Sequence, residues 1–145
     1  MARVSTYLNF PRTTEAAFDF YRAVFQTEYL GPIARFRDMP TAPDQPPPAD
    51  DDKDLVLHVE LPILGGHVLM GTDASESMGF TLRLGNNVYI NLEPESRPET
   101  DRLFAALAVG GAVEMPLQEM FWGGYFGSLT DRFGIRWMFN CSSKT

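Results

Sequence analysis

The chain has 145 residues, of which 44% are hydrophobic, and a formal net charge of −7. This length can bury a hydrophobic core without disulfides or structural metals. Twelve basic residues against nineteen acidic ones exclude nucleic acid and anionic membrane surfaces as expected partners, because both bind basic surfaces. No segment is apolar enough for a signal peptide or a membrane span. Cys141 is the only cysteine, so we expect a reducing, cytoplasmic location.

The first half of the chain predicts the order strand, helix and three strands. A helix begins at Thr13 or Thr14, because apolar residues then recur every three and four positions. Gly65-Gly66 predicts a hairpin turn between the last two strands. The predicted strands are 3–10, 29–36, 55–63 and 67–71. Residues 37–54 are rich in proline and aspartate without periodicity, which predicts a flexible loop, either a lid or a solvated linker.

The second half predicts the same order. Ser96 and Glu99 have the spacing of a capping box at a helix start, and Gly110-Gly111 is typical of a helix end. The predicted strands are 79–84 (on its own or as an extension of the next), 88–92, 112–120, 124–130 and 135–141.

Two sequence echoes support an internal repeat. Thr6–Phe10 returns as Val88–Leu92, and Gly66–Met70 returns as Gly134–Met138. We therefore predict a single α+β domain built from two β-α-β-β-β modules, about 1–78 and 79–145, whose curved mixed sheets enclose a cleft.

Three groups of residues carry a resemblance to a known family. They are Tyr7–Phe10, Phe20-Tyr21 and, most specifically, residues 115–137, with Met115-Pro116-Leu117-Gln118, Phe121-Trp122-Gly123 and Thr130-Asp131. In these motifs, which span almost the whole chain, the sequence resembles the PhnB-like branch of the vicinal oxygen chelate superfamily, which includes glyoxalase I, bleomycin-resistance proteins and extradiol dioxygenases. This resemblance implies a homodimer. Some members carry a demethylubiquinone methyltransferase name, but no glycine-rich motif for S-adenosylmethionine occurs in this sequence.

The resemblance also implies four metal-ligand positions, one on the first and one on the fourth strand of each module. These positions are occupied here by Thr6, Met70, Val88 and Met138. Divalent catalytic metals prefer imidazole and carboxylate ligands, whereas a thioether prefers soft ions. A slip of one residue brings in Tyr7, Leu69, Tyr89 and Trp137, which are no better. We therefore expect no metal and no other cofactor at these positions.

His58 is the candidate for acid–base chemistry, since histidine titrates near neutral pH. Its alternative role is structural, as a hydrogen-bonded histidine in a strand. Glu60 lies two residues further along the same strand, and His67 lies across the hairpin. If the three converged, they would form a metal site away from the usual position.

An aromatic and polar cluster in the last third of the chain predicts either a ligand-binding wall or a packed core or dimer contact. Its members are Gln118, Glu119, Phe121, Trp122, Tyr125 and Phe126. Met70, Trp137 and Met138 are predicted to line or fill the same cleft. We therefore expect a domain that binds or sequesters a small organic ligand. The alternative is a lyase, isomerase or dioxygenase with a relocated metal or with His58 as general base.

Overall fold

The computed structural model describes all residues from Met1 to Thr145. The chain divides into two compact units, Met1–Leu82 and Arg83–Thr145. Each unit contains a four-stranded mixed sheet and one long helix. The predicted α+β class and the pair of β-α-β-β-β modules are therefore confirmed. None of the helices is both long and apolar enough to cross a bilayer.

The first unit has the sheet order β1-β4-β3-β2, with β1 parallel to β4 and antiparallel pairing elsewhere. Its elements are β1 (Thr6–Phe10), α1 (Thr14–Phe25), β2 (Ala34–Arg35), β3 (Val56–Pro62) and β4 (Val68–Asp73). Gly65 and Gly66 both have positive φ, 67° and 78°, in the predicted hairpin turn. This left-handed backbone is the reason glycine is needed there.

Helix α1 covers one face of this sheet. Its buried residues include Ala17, Phe18 and Tyr21, and the Phe18 ring packs edge-on against Phe10 of β1. A Cβ atom on Gly71 of β4 would lie 2.5 Å from the Phe18 ring. Glycine at this position therefore lets the helix approach the sheet closely.

The start of α1 is capped from outside the helix. Thr13 is the N-cap residue, but its side chain makes no capping hydrogen bond. The Thr14 amide instead donates to Asp73 Oδ1 at 3.0 Å, and the Val56 amide donates to Asp73 Oδ2 at 2.8 Å. A single buried carboxylate thus joins α1, β3 and β4, a long-range cap that the local sequence does not reveal.

The second unit repeats this topology, with the sheet order β5-β8-β7-β6 and β5 parallel to β8. Its elements are β5 (Ile90–Leu92), α2 (Arg97–Ala108), β6 (Ala112–Glu119), β7 (Tyr125–Thr130) and β8 (Arg136–Cys141). Ser96 accepts a hydrogen bond from the Glu99 amide, as predicted for the start of α2. Gly110 has a φ of 75° just beyond its end.

The core of the second unit lies between α2 and its sheet. Leu103 and Leu107 of the helix are buried, as are Trp137 and Phe139 of β8. The Trp137 indole donates to Asp131 Oδ2 at 2.9 Å. This hydrogen bond satisfies the polar group of a tryptophan that is otherwise packed in apolar surroundings.

Two predicted strands differ from the structure. Residues 79–84 form no strand, and Phe80 and Leu84 are exposed because no neighbouring strand pairs with them. The strand predicted over 29–36 is reduced to Ala34–Arg35. Residues 79–84 alternate apolar and polar side chains, but no strand pairs with them, and of residues 29–36 only Ala34 and Arg35 pair with β3.

The proline-rich loop has hydrogen-bonded ends. The Arg37 amide donates to the Lys53 carbonyl at 2.9 Å, and the Arg37 guanidinium pairs with Asp54 at 2.6 Å. Asp52 is buried and pairs with Arg12 at 2.7 Å. Polar contacts therefore hold this loop to the rest of the first unit, although its residues offer little apolar surface to bury.

Candidate functional site

Each sheet has one face covered by its helix and one face without it. In the first unit, strand alternation places Phe10 and Leu69 on the helix side. The other side carries a mixture of polar groups and one thioether. We call it the first open face, and it comprises Tyr7, Asn9, His58, Glu60, Met70 and Thr72.

A chain of three side chains crosses the first open face. The Tyr7 hydroxyl lies 3.0 Å from His58 Nδ1, and His58 Nε2 lies 3.1 Å from Glu60 Oε2. Because a carboxylate only accepts, the neutral imidazole donates from Nε2 and accepts from Tyr7 at Nδ1. Burial, and then the nearby Glu60 carboxylate, raise the pKa of Tyr7 above its ordinary value of 10.0. Tyr7 is therefore a hydrogen-bond donor in this chain.

His67 does not join these residues. Its Nε2 atom lies 2.8 Å from the Thr6 hydroxyl. The convergence of His58, Glu60 and His67 considered above is therefore limited to the first two. No group of three or more His, Cys, Asp or Glu side chains is arranged to hold a metal ion.

The strand register corrects the four positions taken from the resemblance. Thr6 lies opposite Leu69, while Tyr7 lies opposite Met70, so Thr6 and Met70 belong to different faces. Val88 precedes β5 and is exposed. The residue opposite Met138 is Asn91. The first and fourth strands therefore present Tyr7 with Met70 and Asn91 with Met138.

The helix-free face of the second sheet, the second open face, comprises Asn91, Phe126, Ser128, Arg136, Met138 and Asn140. At one end of it, Arg136 donates to Glu114 at 2.6 Å and to the Tyr89 hydroxyl. The hydrogen bond to Tyr89 is the largest contribution raising the pKa of Arg136. This end of the face carries a fixed cation whose charge Glu114 balances.

At the other end lies a recess of about 200 Å³, lined by Trp122, Gly123, Gly124, Asn140, Ser142 and Lys144. Asn140 Oδ1 is buried and accepts no hydrogen bond from the chain. A Cβ on Gly124 would lie 2.5 Å from Trp122 Nε1 and 2.6 Å from Asn140 Oδ1. The absence of a side chain at Gly124 therefore brings the indole and the amide to the same place.

The predicted ligand-binding residues divide into three groups. Met70 lies on the first open face, and Met138 on the second. Trp122 lines the recess, and its ring packs edge-on against Phe126 and Phe121, the latter 97% exposed at the hairpin tip. Gln118 lies opposite Phe126 in β6.

The third group lies away from the open faces. Trp137 is 0% exposed. Strand alternation places it on the opposite face of β8 from Met138, so the two side chains do not share one cleft as the sequence predicted. The Tyr125 hydroxyl donates to Asp101 of α2, and this hydrogen bond, followed by burial, raises the pKa of Tyr125. Glu119 pairs with Arg97 at 3.2 Å on the same side.

Sequence reasoning missed Asn140, Arg136 and the role of Tyr7. The duplicated Tyr-x-Asn of residues 7–9 and 89–91 was the available signal for Tyr7, because alternation places the members of each pair on one face. Asn140 carries no such signal. Its unmatched acceptor depends on packing against Gly124, sixteen residues earlier.

Two helix-backed mixed sheets with this strand order define the glyoxalase/bleomycin-resistance class of fold. A glyoxalase/bleomycin resistance protein/dioxygenase family enzyme from Burkholderia phytofirmans has this fold, with a TM-score of 0.62 and 19% identity over 95% of this chain and 98% of that one. Residues 2–139 match the model of the family described as 3-demethylubiquinone-9 3-methyltransferase, and the chain belongs to this family.

Three relatives illustrate the family. Protein YjdN of Escherichia coli is 32% identical, over 94% of this chain and 93% of its own. Protein PA1353 from Pseudomonas aeruginosa has a TM-score of 0.82 with 35% identity, covering 97% and 98% of the two chains. A Bacillus cereus PhnB protein, a putative 3-demethylubiquinone-9 3-methyltransferase, has a TM-score of 0.72 with 27% identity over 97% and 99%. The PhnB-like resemblance is thereby confirmed.

Proposed function

We propose that this protein binds a small organic ligand on its open sheet faces and that it does so without the divalent metal of the superfamily's enzymes. The observation that carries this proposal is the buried Asn140 Oδ1, an acceptor with no donor in the chain, beside the Trp122 ring. A buried acceptor left without a donor costs about 1–3 kcal/mol. A ligand hydroxyl or amine that donated to it would recover that free energy.

The identities of the surrounding residues fit such a ligand. Trp122 and Phe126 supply aromatic contact, and Met138 supplies an adaptable apolar surface. Small-molecule sites commonly combine apolar walls with a few polar groups that orient the ligand. The tyrosine, asparagine and methionine at the first- and fourth-strand positions are poor ligands for a catalytic divalent metal.

The test is native mass spectrometry of the protein after incubation with a small-molecule extract. We expect the wild type to retain a ligand, and Trp122→Ala and Gly124→Ala to lose it. Gly85→Ala is the matched control, because a Cβ there meets only the Asn87 side chain at 3.6 Å. Equal retention by all variants, or stoichiometric zinc, iron or nickel bound through His58, would contradict the proposal.

A second candidate function follows from the Tyr7–His58–Glu60 chain. Glu60 orients the imidazole, and a histidine held in one tautomer can act as a general base. In this hypothesis a ligand on the first open face would displace the Tyr7 hydroxyl from His58 Nδ1, the acceptor nitrogen of the imidazole. His58 Nδ1 would then remove a proton from a carbon of that ligand, as in a lyase or isomerase reaction. The displaced Tyr7 hydroxyl, which remains protonated, would donate a hydrogen bond to the ligand.

Deuterium exchange distinguishes the two functions. If His58 is a base, the wild type in D₂O will introduce deuterium into the retained ligand, and His58→Ala will not. Tyr7→Phe is expected to keep part of the exchange, because it preserves the His58–Glu60 pair. Absence of exchange in the wild type would leave ligand binding as the whole function.

We also propose that the protein is a cytoplasmic homodimer. Strand β6 supports the dimer, because it lies at the edge of the second sheet and exposes Val113 and Met115. Sheet edges with exposed apolar side chains are usually covered or protected.

A further inference from the structure

A separate cavity of about 400 Å³ lies in the first unit, between the proline-rich loop and the segment that follows β4. Its volume is within the range of sites for small organic molecules. It is distinct from both open faces. Its lining includes Phe36, Met39, three consecutive prolines (46–48) and Asp52 on one side, and Ser77, Met78 and Phe80 on the other.

The walls are mainly aromatic, thioether and proline surfaces. Phe36 and Phe80 supply rings, and Met39 and Met78 supply flexible side chains that adapt to the shape of a ligand. The prolines are rigid, so they add apolar contact at little cost in conformational entropy. These walls favour a compact apolar group such as an aromatic ring or a short branched chain.

The only charged side chain in the lining is Asp52. Its carboxylate accepts from Arg12 at 2.7 Å and from the Ser77 hydroxyl at 3.2 and 3.1 Å. Arg12, followed in effect by Ser77, lowers the pKa of Asp52, so the group is an anion at neutral pH. Two carboxylate oxygens offer about four acceptor positions, and these partners leave capacity for another donor.

The surrounding charge selects the sign of a ligand. Residues 37–54 contain six aspartates and two basic residues, Arg37 and Lys53. Arg12 balances the charge of Asp52, and the other residues of the loop still include five aspartates against the two basic residues. An anionic ligand would therefore meet repulsion at the cavity, and a cation would meet attraction.

We propose that this cavity is a binding site for small hydrophobic amines, which insert their apolar group between the prolines and the Phe36, Met78 and Phe80 side chains. The ammonium group donates to Asp52. This site is independent of the one proposed for the open faces, and its ligand need not be the same.

The test uses three probes of the same size and different charge: benzylammonium, benzyl alcohol and benzoate. Each is titrated into uniformly ¹⁵N-labelled full-length protein, and amide chemical shifts are followed by NMR. We expect saturable shifts at residues 36–52 and 77–80, with benzylammonium binding about tenfold more tightly than benzyl alcohol, the effect of one charge-assisted hydrogen bond. Benzoate is expected to give none.

Two variants then test the position and the role of the carboxylate. Ala49 also lines the cavity, so Ala49→Trp fills it and should abolish the shifts, whereas Ala105→Trp, on the exposed side of α2, should leave them unchanged. Asp52→Asn should remove most of the preference for benzylammonium over benzyl alcohol. Benzoate binding as tightly as benzylammonium, unchanged binding in Ala49→Trp, or an unchanged preference in Asp52→Asn would overturn the proposal.

Discussion

At the scale of single residues, the ion pair between Arg12 and Asp52 connects two distant parts of the first unit. Arg12 follows β1 with a φ of 70°, and Asp52 is near the end of the proline-rich loop. The pair lowers the pKa of Asp52 below its ordinary value of 3.8. Its stabilising contribution is therefore present above that value and is lost as the pH falls through the lower pKa of the folded state.

We predict that Arg12→Gln raises the pKa of Asp52, because the largest cause of its lowering is removed while burial, which raises this pKa, remains. Carboxyl ¹³C chemical shifts followed through an acid titration measure this change. Arg22→Gln is the control, since Arg22 pairs at 3.4 Å with Glu28, whose side chain is 85% exposed. An Asp52 pKa that is the same in wild type and Arg12→Gln would contradict the assignment of the lowered pKa to Arg12.

The Tyr7 hydroxyl provides a second test at this scale. Its pKa is raised first by burial and then by the Glu60 carboxylate. Glu60→Gln removes the second cause and keeps the first, so the Tyr7 pKa should decrease but stay above 10.0. Tyrosine ¹³Cζ shifts measure it in alkaline titrations, with Tyr7→Phe to assign the signal. Glu28→Gln should have no effect, and an increase in Glu60→Gln would contradict the arrangement described here.

At the scale of secondary-structure elements, Asp73 connects the start of α1 to β3. Replacing it by alanine would leave the Thr14 and Val56 amides without an acceptor in a buried region. At about 1–3 kcal/mol for each unsatisfied group, we expect Asp73→Ala to lower the free energy of unfolding by about 2–6 kcal/mol. Urea denaturation followed by circular dichroism measures this loss.

The matched comparison is Ser96→Ala at the start of α2. Ser96 caps its helix through one hydrogen bond at 3.3 Å in a partly buried position, so its loss should cost about 1 kcal/mol. If Asp73→Ala were no more destabilising than Ser96→Ala, the cap would be a local feature and not a connection between elements.

The two caps also show what sequence predicts well. Ser96 and Glu99 lie within one turn, and local spacing was sufficient to identify the start of α2. Asp73 lies 59 residues from Thr14, so no local pattern could connect them. The same reason accounts for the strand predicted over 79–84, because alternation describes a strand's faces but not whether a neighbour is present to pair with it.

The same contrast between local patterns and long-range pairing applies to the candidate site. The echo of Gly66–Met70 in Gly134–Met138 correctly identified equivalent hairpin positions, since Glu60 lies opposite Met70 and Ser128 opposite Met138. It did not reveal that Met70 pairs with Tyr7 whereas Met138 pairs with Asn91, two positions further along the repeat. A shift of two residues preserves the faces but changes which side chains are adjacent.

At the scale of the whole molecule, two units of the same topology carry different chemistry. The first open face has a tyrosine, histidine and glutamate in a hydrogen-bonded chain. The second has an aromatic recess with a buried amide oxygen. The repeated scaffold therefore positions a hydrogen-bonded titratable chain in one unit and an aromatic recess in the other.

The proposed homodimer would use strand β6, whose only sheet neighbour is β7. Pro116 lacks a backbone N–H, which disfavours a continuous ladder with another strand, so contact through the side chains of Val113 and Met115 is the better route to a dimer. We predict a mass of twice 16.3 kDa in light scattering coupled to size-exclusion chromatography, and a shift towards the monomer in Met115→Lys. Val109→Lys adds the same charge at an exposed position outside β6 and should remain dimeric. A monomeric wild type would contradict the homodimer. A Met115→Lys variant that stays dimeric would show that the dimer contact lies elsewhere.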